Sequence, residues 1–182
     1  MPSTTQILTA EELWNMPDNG GRNELVRGEI HERMPHTFRH GVLISELGCR
    51  LDEYVEGNRL GSVAIGGAGF ILQRSPDFVL SPDIAFVSTD RLPSPQPEKW
   101  WEMAPDFAIE ISSESDAVYP IERKIDDWIR FGCSMVVNVS DRHRTVTIYR
   151  PGQSPQILSG NDILDGGVVA PGFRLPLPEI FG

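Results

Sequence analysis

The fold of this chain is decided by two stretches, Ser81-Pro82-Asp83-Ile84-Ala85-Phe86-Val87 and Ala104-Pro105-Asp106-Phe107-Ala108-Ile109-Glu110-Ile111. In each, a Pro-Asp step precedes a run of apolar residues without polar alternation, which is typical of a strand buried on both faces. Glu110 interrupts the second run, and a carboxylate inside a buried strand needs a partner or a metal ion. The two stretches therefore predict the centre of a buried sheet that carries a functional acidic residue.

Strand geometry limits which acidic residues can act together. Asp106 and Glu110 share one strand and lie about 13 Å apart at roughly 3.3 Å per residue, so they cannot share one ion. If the two strands are antiparallel with Val87 opposite Asp106, Asp83 lies opposite Glu110, with Cβ atoms about 5 Å apart. That spacing suits two oxygen ligands of one Mg²⁺ ion. The alternative role for Asp83 is to cap a turn after Pro82.

A helix predicted over 120–131 adds a basic residue. Its apolar stripe contains Ile121, Ile125 and Trp128, and Lys124 lies at the edge of that stripe beside Trp128. A lysine near two carboxylates and a metal ion could orient an attacking water. Alternatively, Lys124 extends past Trp128 to solvent, and its truncation would then cost well under about 1 kcal/mol.

The remaining patterns predict an α/β fold, a mixed β-sheet flanked by helices. A capping box at Thr9 and Glu12 begins a short helix. Further predicted elements are a hairpin or bent strand at 24–34, a helix at 39–56, strands at 62–65 and 69–72, a long loop at 89–105, a hairpin of strands 135–139 and 145–149, and an extended tail at 172–178.

Length and composition favour one domain over residues 1–182. The chain is 40% hydrophobic and has two cysteines, Cys49 and Cys133, without metal-ligand spacing. No apolar run approaches the roughly 18 residues of a membrane span, and no secretory signal pattern is visible. We therefore expect no membrane association and a cytoplasmic location.

The charge balance is acidic. The chain has 26 acidic and 16 basic residues, giving a formal net charge of −10. Proteins that bind nucleic acid over a large surface usually present a basic face, because they displace condensed counterions. Any nucleic-acid function must therefore depend on local clusters of arginine.

Several motifs follow one another in a characteristic order. They are Glu24-Leu25-Val26-Arg27-Gly28-Glu29, His40-Gly41, the 81–87 stretch, the segment 104–116, Lys124 ahead of Phe131-Gly132, and Pro171-Gly172-Phe173-Arg174-Leu175-Pro176-Leu177. This ordered set resembles the Uma2 family of restriction endonucleases, within the PD-(D/E)XK nuclease superfamily, and the resemblance spans nearly the whole chain.

The resemblance implies a restriction-endonuclease-like (PD-(D/E)XK) core in which Asp83 and Glu110 bind Mg²⁺ or Mn²⁺. A backbone carbonyl near Ile111 would complete the coordination. Glu24 would match an acidic residue that assists through a water or a second metal, although it could also lie on an exposed hairpin face. The superfamily lysine position, two residues after the glutamate, is Ser112 here, so Lys124 would replace it from the following helix.

The leading hypothesis is a metal-dependent endonuclease acting on DNA, and we expect a homodimer. The proline-rich loop at 89–105, with Trp100 and Trp101, is too apolar for free exposure. A dimer could bring together Arg22, Arg27, Arg33 and Arg39 around the cleft. The alternatives are a catalytically inactive nuclease fold kept as a binding or assembly module, and a hydrolase of small phosphate esters.

The histidines have a weaker pattern. His31, His36 and His40 are spaced by five and four residues, which fits no familiar metal motif. We expect them at the surface or in the core, with His40 as a candidate for the rim of the site.

Overall fold

The computed structural model describes residues 7–17, 22–33, 37–112 and 120–182. Its helices are α1 (Ala10–Trp14), α2 (Phe38–Gly57), α3 (Ile121–Arg130) and α4 (Leu177–Phe181), with a 3₁₀ turn at Thr89–Arg91. Its strands are β1 (Arg22–Val26), β2 (Glu29–Arg33), β3 (Gly61–Ile65), β4 (Phe70–Gln73), β5 (Phe78–Leu80), β6 (Ile84–Ser88), β7 (Phe107–Ser112), β8 (Met135–Ser140), β9 (Thr145–Tyr149), β10 (Gln156–Ser159), β11 (Ile163–Asp165) and β12 (Arg174–Pro176).

The strands form three sheets. The largest has the order β10-β9-β8-β7-β6-β3, in which β7 and β8 are parallel and the other neighbours antiparallel. This is the predicted mixed sheet. A second sheet has the order β2-β1-β5-β4, and β11 pairs with β12 in a third. The division into separate sheets was not visible in the sequence.

Helices cover both faces of the six-stranded sheet. On one face, Leu47 and Leu51 of α2 share an apolar cluster with Ile109 of β7 and Val137 of β8. On the other face, α3 packs through residues that join a separate cluster with the sheet, namely Ile125, Trp128, Ala108 and Val136. Successive residues of β7 therefore point to opposite, helix-covered faces, which explains its unbroken apolar pattern.

Local sequence sets the ends of the two long helices. Thr37 precedes α2, and its hydroxyl accepts a hydrogen bond from the His40 backbone N–H. Pro120 precedes α3, and Gly132 follows it with a φ of +101°, a conformation that favours glycine. These limits place Lys124 and Trp128 one helical turn apart on the face that packs against the sheet.

Most predicted elements are present, and the short ones are the main omissions. The capping box between Thr9 and Glu12 and the β1–β2 hairpin are confirmed. The strands β5, β10 and β11, each of three or four residues, were not predicted. The tail was predicted to be extended, but α4 begins within it at Leu177. His36 and residues 113–116 lie outside the described residues.

The loop over residues 89–105 is covered in part by the chain itself. Trp100 contacts Trp14 edge to face, with ring centroids 5.3 Å apart. Trp101 forms a β-bridge with Phe70. The loop therefore gives less reason to expect a partner subunit than its sequence suggested, and the homodimer stays a prediction. In the part of the chain that the structure describes, no helix has the length and apolarity of a membrane span.

Candidate active site

The register between β6 and β7 brings the two central carboxylates together. Ile84 pairs with Ile109 and Phe86 with Phe107, so one further step along this antiparallel ladder places Asp83 opposite Glu110. The Ile111 backbone N–H donates to Asp83 Oδ2 at 2.8 Å. The assumed register is confirmed, and Asp83 accepts a bond across the ladder instead of only capping a turn.

Asp106 lies at the other end of the same ladder. Its carboxylate accepts a hydrogen bond from the Ser88 backbone N–H at 2.8 Å and pairs with the Arg91 guanidinium at 2.5 Å. Asp106 therefore lies apart from Glu110, as the strand geometry predicted. Asp106 fixes the start of β7 and takes no part in the carboxylate pair.

Glu110 is completely buried, and both of its carboxylate oxygens accept hydrogen bonds. The Trp128 indole N–H donates to Oε1 at 2.8 Å, and Lys124 Nζ lies 2.8 Å from the same oxygen. Burial raises the pKa of Glu110 to about 7, although the charge of Lys124 opposes this change. Trp128, which the sequence indicated only as a packing residue, therefore also orients the carboxylate.

Lys124 lies at the centre of the cluster. Its side chain is only 3% exposed, and Nζ contacts Glu24 Oε1, Glu110 Oε1 and the Ser81 carbonyl oxygen, each at 2.8 Å. The alternative that Lys124 extends to solvent is wrong, because the sheet and the β1–β2 hairpin enclose its ammonium group. Because the small stability cost expected for truncation of Lys124 depended on that alternative, it no longer applies.

Glu24 reaches the cluster from the second sheet. It is 1% exposed, and the Ser81 backbone N–H donates to its Oε1 at 2.8 Å. An exposed hairpin face is therefore excluded for Glu24. The structure brings together all four side chains that the sequence selected, Asp83, Glu110, Lys124 and Glu24, by packing one sheet and one helix against the end of another sheet.

The comparisons with known proteins bear on the family and the fold. Residues 10–178 match the family model Uma2, described as "Putative restriction endonuclease". The chain belongs to the Uma2 family. No curated protein sequence is significantly similar to it. A crystal structure described as "a putative nuclease belonging to DUF820 from Anabaena variabilis ATCC 29413" matches with a TM-score of 0.81 and 21% identity, covering 96% of this chain and 97% of that one. At this identity the match establishes the fold, which is restriction-endonuclease-like.

This Uma2 chain also has two basic residues at the site, the buried His40 and the partly buried Arg33, whose roles the sequence did not indicate. His40 Nε2 lies 3.3 Å from Asp83 Oδ2, and both side chains are almost fully buried. Arg33 lies 3.8 Å from Glu24 and 3.9 Å from Glu110. The sequence had suggested His40 only for the rim and Arg33 only for a dimer cleft. His40 is far from Asp83 in the sequence, and Arg33 is far from Glu110, so no local pattern indicates these contacts.

The basic residues control the charge of Asp83. Burial alone would raise the pKa of Asp83, but the hydrogen bond with His40 and the charges of Arg33 and Lys124 outweigh it. Together they hold the pKa of Asp83 well below its usual range. Asp83 is therefore ionised, whereas its partner Glu110 is the carboxyl that burial pushes towards the protonated form.

The donor set fits a hard divalent cation. Asp83 and Glu110 present carboxylate oxygens from facing strands, the ligand type that Mg²⁺ prefers. Among the described residues, no three His, Cys, Asp or Glu side chains form a group that could hold a metal ion. Mg²⁺ sites commonly use only one or two carboxylates, with waters and substrate phosphates as the other ligands. A pair of carboxylates is therefore sufficient for such a site.

Proposed function

We propose that this Uma2 protein is a Mg²⁺- or Mn²⁺-dependent endonuclease that hydrolyses DNA phosphodiester bonds. The observation that carries the proposal is the buried cluster of Asp83, Glu110, Glu24 and Lys124, with Lys124 Nζ 2.8 Å from two of the three carboxylates. Burying several charges is costly unless they are paired, and perturbed carboxyl groups are concentrated at functional sites. The family and the structural match support nuclease chemistry for this cluster.

Three groups of the chain would hold the ion: the carboxylates of Asp83 and Glu110 and the backbone carbonyl of Ile111. When bound, the ion would polarise the scissile phosphate and lower the pKa of a bound water. His40 and the Ile111 N–H keep Asp83 oriented, and Trp128 keeps Glu110 oriented. The chain's own contribution is thus a fixed pair of oxygen ligands with buried supporting donors.

Lys124 and Glu24 would handle the water and the developing charge. The Lys124 ammonium is held by three oxygen acceptors, so its position does not depend on the substrate. A fixed cation beside the reacting phosphate would orient the attacking water and stabilise negative charge on the phosphate in the transition state. Glu24 positions that cation and would accept a hydrogen bond from a second bound water.

Two observations favoured the hypothesis of an inactive binding module: the net charge of −10 and the missing lysine two residues after Glu110. The structure removes the second one. Lys124 fills the space beside Glu110 from α3, so the missing lysine no longer favours an inactive site. The acidic charge remains, and we propose that a homodimer with DNA as its substrate concentrates the arginines near the site.

A cleavage assay on a labelled DNA oligonucleotide tests the proposed activity. We expect cleavage with Mg²⁺ or Mn²⁺ and none with EDTA. Asp83→Asn should lower the rate at least about 100-fold, whereas Asp106→Asn, which alters the Pro-Asp step directly before β7, should cleave like the wild type. Cleavage that persists in EDTA, or that depends on Asp106 and not on Asp83, would contradict the proposal. Cleavage of a small phosphodiester but not of DNA would favour the hydrolase of small phosphate esters.

Sedimentation tests the homodimer separately. A mass near twice 20.3 kDa at micromolar concentration is the expected result. A species of monomer mass alone would contradict the homodimer without affecting the proposed chemistry.

A further inference from the structure

A cavity of about 660 Å³ with both polar and apolar lining residues lies next to the residues that contact Asp83. Two of its lining residues, His40 and Ile111, are also the residues that contact Asp83 Oδ2. Anything that fills the cavity therefore touches the groups that orient Asp83. The volume lies in the range of small-ligand pockets, about 300–1,000 Å³.

The floor of the cavity consists of short, uncharged polar side chains on adjacent strands. Asn138 of β8 pairs in register with Glu110 on one side and with Thr147 of β9 on the other. Two residues further along, and on the same face, Ser140 lies between Ser112 and Thr145 in the same way. Because paired residues point to the same face of a sheet, the polar surface continues from Glu110 across two strands.

One oxygen atom among these side chains lacks a hydrogen-bond donor in the described part of the chain. Within the described residues, the Oδ1 atom of Asn138 is buried and has no hydrogen-bond partner. Leaving a buried acceptor unsatisfied costs about 1–3 kcal/mol. A carboxamide presents an acceptor next to a donor, the pattern that pairs with an amino group next to a ring nitrogen on a nucleobase. The floor is therefore suited to a ligand that donates from such an amino group.

The charged side chains that line the cavity do not favour binding of the phosphate backbone of a nucleic acid. Among the described residues that line it, two arginines, Arg39 and Arg142, are matched by two acidic residues, Glu122 and Asp141. Arg39 also forms a salt bridge with Asp141, with a distance of 3.0 Å. The formal charge of these four side chains is zero. A neutral heterocycle suits this cavity better than a strongly anionic backbone does.

We infer that this cavity binds an unpaired nucleobase with an exocyclic amino group, adenine or cytosine, next to the scissile phosphate. The inference rests on the proposed function and specifies its substrate: a single-stranded or unpaired region of DNA. In a duplex the base edges used in pairing are occupied, and a base must leave the stack to enter a pocket. A site that binds one base also requires few phosphate contacts, which agrees with the net charge of −10.

Binding measured by fluorescence anisotropy in EDTA tests the inference without catalysis. The probes are labelled twelve-nucleotide strands of oligo(dA), oligo(dC) and oligo(dT), and a mixed-sequence duplex of the same length. We expect oligo(dA) or oligo(dC) to bind about tenfold more tightly than oligo(dT) and than the duplex. Asn138→Leu should remove the difference between the strands, and Thr147→Val should reduce it.

Two features keep this test decisive. Asn138 is half-buried, and its Oδ1 has no hydrogen-bond partner among the described residues. Leucine of similar size removes no hydrogen bond of this oxygen, so Asn138→Leu is expected to fold with an unchanged melting temperature. Asn58→Ala is the matched control, because Asn58 follows the other end of α2, about 27 Å along the helix from the end that lines the cavity. This variant should bind all probes like the wild type. Tighter binding of the duplex, or an equal loss for all probes in Asn138→Leu, would overturn the inference.

Cleavage assays with Mn²⁺ test the endonuclease activity and the nucleobase site independently. If the duplex is cut at least as fast as single strands and Asn138→Leu has no effect, the endonuclease proposal stands and the nucleobase site fails. If single strands bind in the Asn138-dependent way but nothing is cut, the nucleobase site stands and the hydrolytic function fails.

Discussion

The two ends of the β6–β7 ladder begin with the same dipeptide and differ in almost everything else. At one end, Asp83 is completely buried, faces Glu110 and belongs to a cluster centred on Lys124. At the other end, Asp106 retains 14% exposure of its side chain and pairs with Arg91, whose side chain is 30% exposed. A Pro-Asp step thus marks the start of a buried strand but does not determine whether its carboxylate is functional.

The antiparallel arrangement explains the difference. Each Asp directly precedes its own strand, so antiparallel pairing places the two at opposite ends of the ladder, about 13 Å apart. The end with Asp83 is covered by α3, the β1–β2 hairpin and the start of α2. The covering elements contribute Lys124, Glu24, Arg33 and His40, and they exclude water. The neighbouring elements, and not the motif, create the candidate active site.

The largest difference in unfolding free energy should appear when the basic side chain at each end of the ladder is replaced. Lys124→Met leaves Glu24 and Glu110 buried without their shared ammonium group, which should cost about 3–5 kcal/mol. Arg91→Met removes the partner of a partly exposed carboxylate and should cost about 1 kcal/mol or less. Urea unfolding of both variants in EDTA measures the difference. Equal costs would mean that the two ends of the ladder are energetically alike.

A smaller contrast is expected from the addition of Mn²⁺. An ion that binds only the folded protein at 100 times its dissociation constant stabilises it by about 2.7 kcal/mol. The resulting rise in melting temperature should disappear in Asp83→Asn and Glu110→Gln and persist in Asp106→Asn. If Asp106→Asn abolishes the rise and Asp83→Asn retains it, the ion binds at the wrong end of the ladder for the proposed mechanism.

The Pro-Asp step at Asp77 extends the comparison and should give the smallest change in stability. Asp77 follows Pro76 and accepts hydrogen bonds from the Ala10 and Ser75 backbone N–H groups, with Arg74 beside it. Burial would raise the pKa of Asp77, but these three contacts outweigh it and lower the pKa. Asp77 therefore holds the start of α1 against the turn, a structural role like that of Asp106.

The sign of this effect predicts its pH dependence. A carboxyl group with a lowered pKa stabilises the fold above its unfolded value, about 4, and loses that contribution as the pH falls through the folded value. Asp77→Asn should be about 1 kcal/mol less stable than the wild type at pH 6. The gap should narrow as the pH falls below about 4 in urea titrations. A gap that stays constant with pH would show that the charge of Asp77 is not what stabilises α1.

The sequence predicted the candidate site well where periodicity was sufficient. The apolar runs around Asp83 and Glu110 indicated buried strands, and the helical pattern placed Lys124 beside Trp128 at the edge of the apolar stripe. Both expectations hold in the structure. Trp128 could also have been recognised as a donor, since it lies one turn from Lys124 on the same face and a buried indole N–H needs an acceptor.

Other contacts could not be predicted, because they join segments far apart in the chain. His40 meets Asp83 from α2, and Arg33 meets Glu110 from the hairpin. A 43-residue separation in the first pair carries no local pattern that fixes a distance. The short strands β5, β10 and β11 were missed for the same reason, since their strand conformation depends on a neighbour in the sheet and only weakly on their own residues.

The sequence by itself determined the α/β class, the buried strands, the position of Lys124 at the edge of the helix stripe and the family, because these follow from local periodicity and from an ordered set of motifs. The tertiary structure established the β6–β7 register, which the sequence analysis had assumed, and that Lys124 is buried and not extended to solvent, and it alone decided how the charges of the carboxylate pair are compensated. The physical reason is that the pKa and the pairing of a buried charge depend on the burial and the neighbouring groups that distant segments provide. At Asp83 those segments converge, whereas at Asp106 the partner, Arg91, lies only fifteen residues away in the chain.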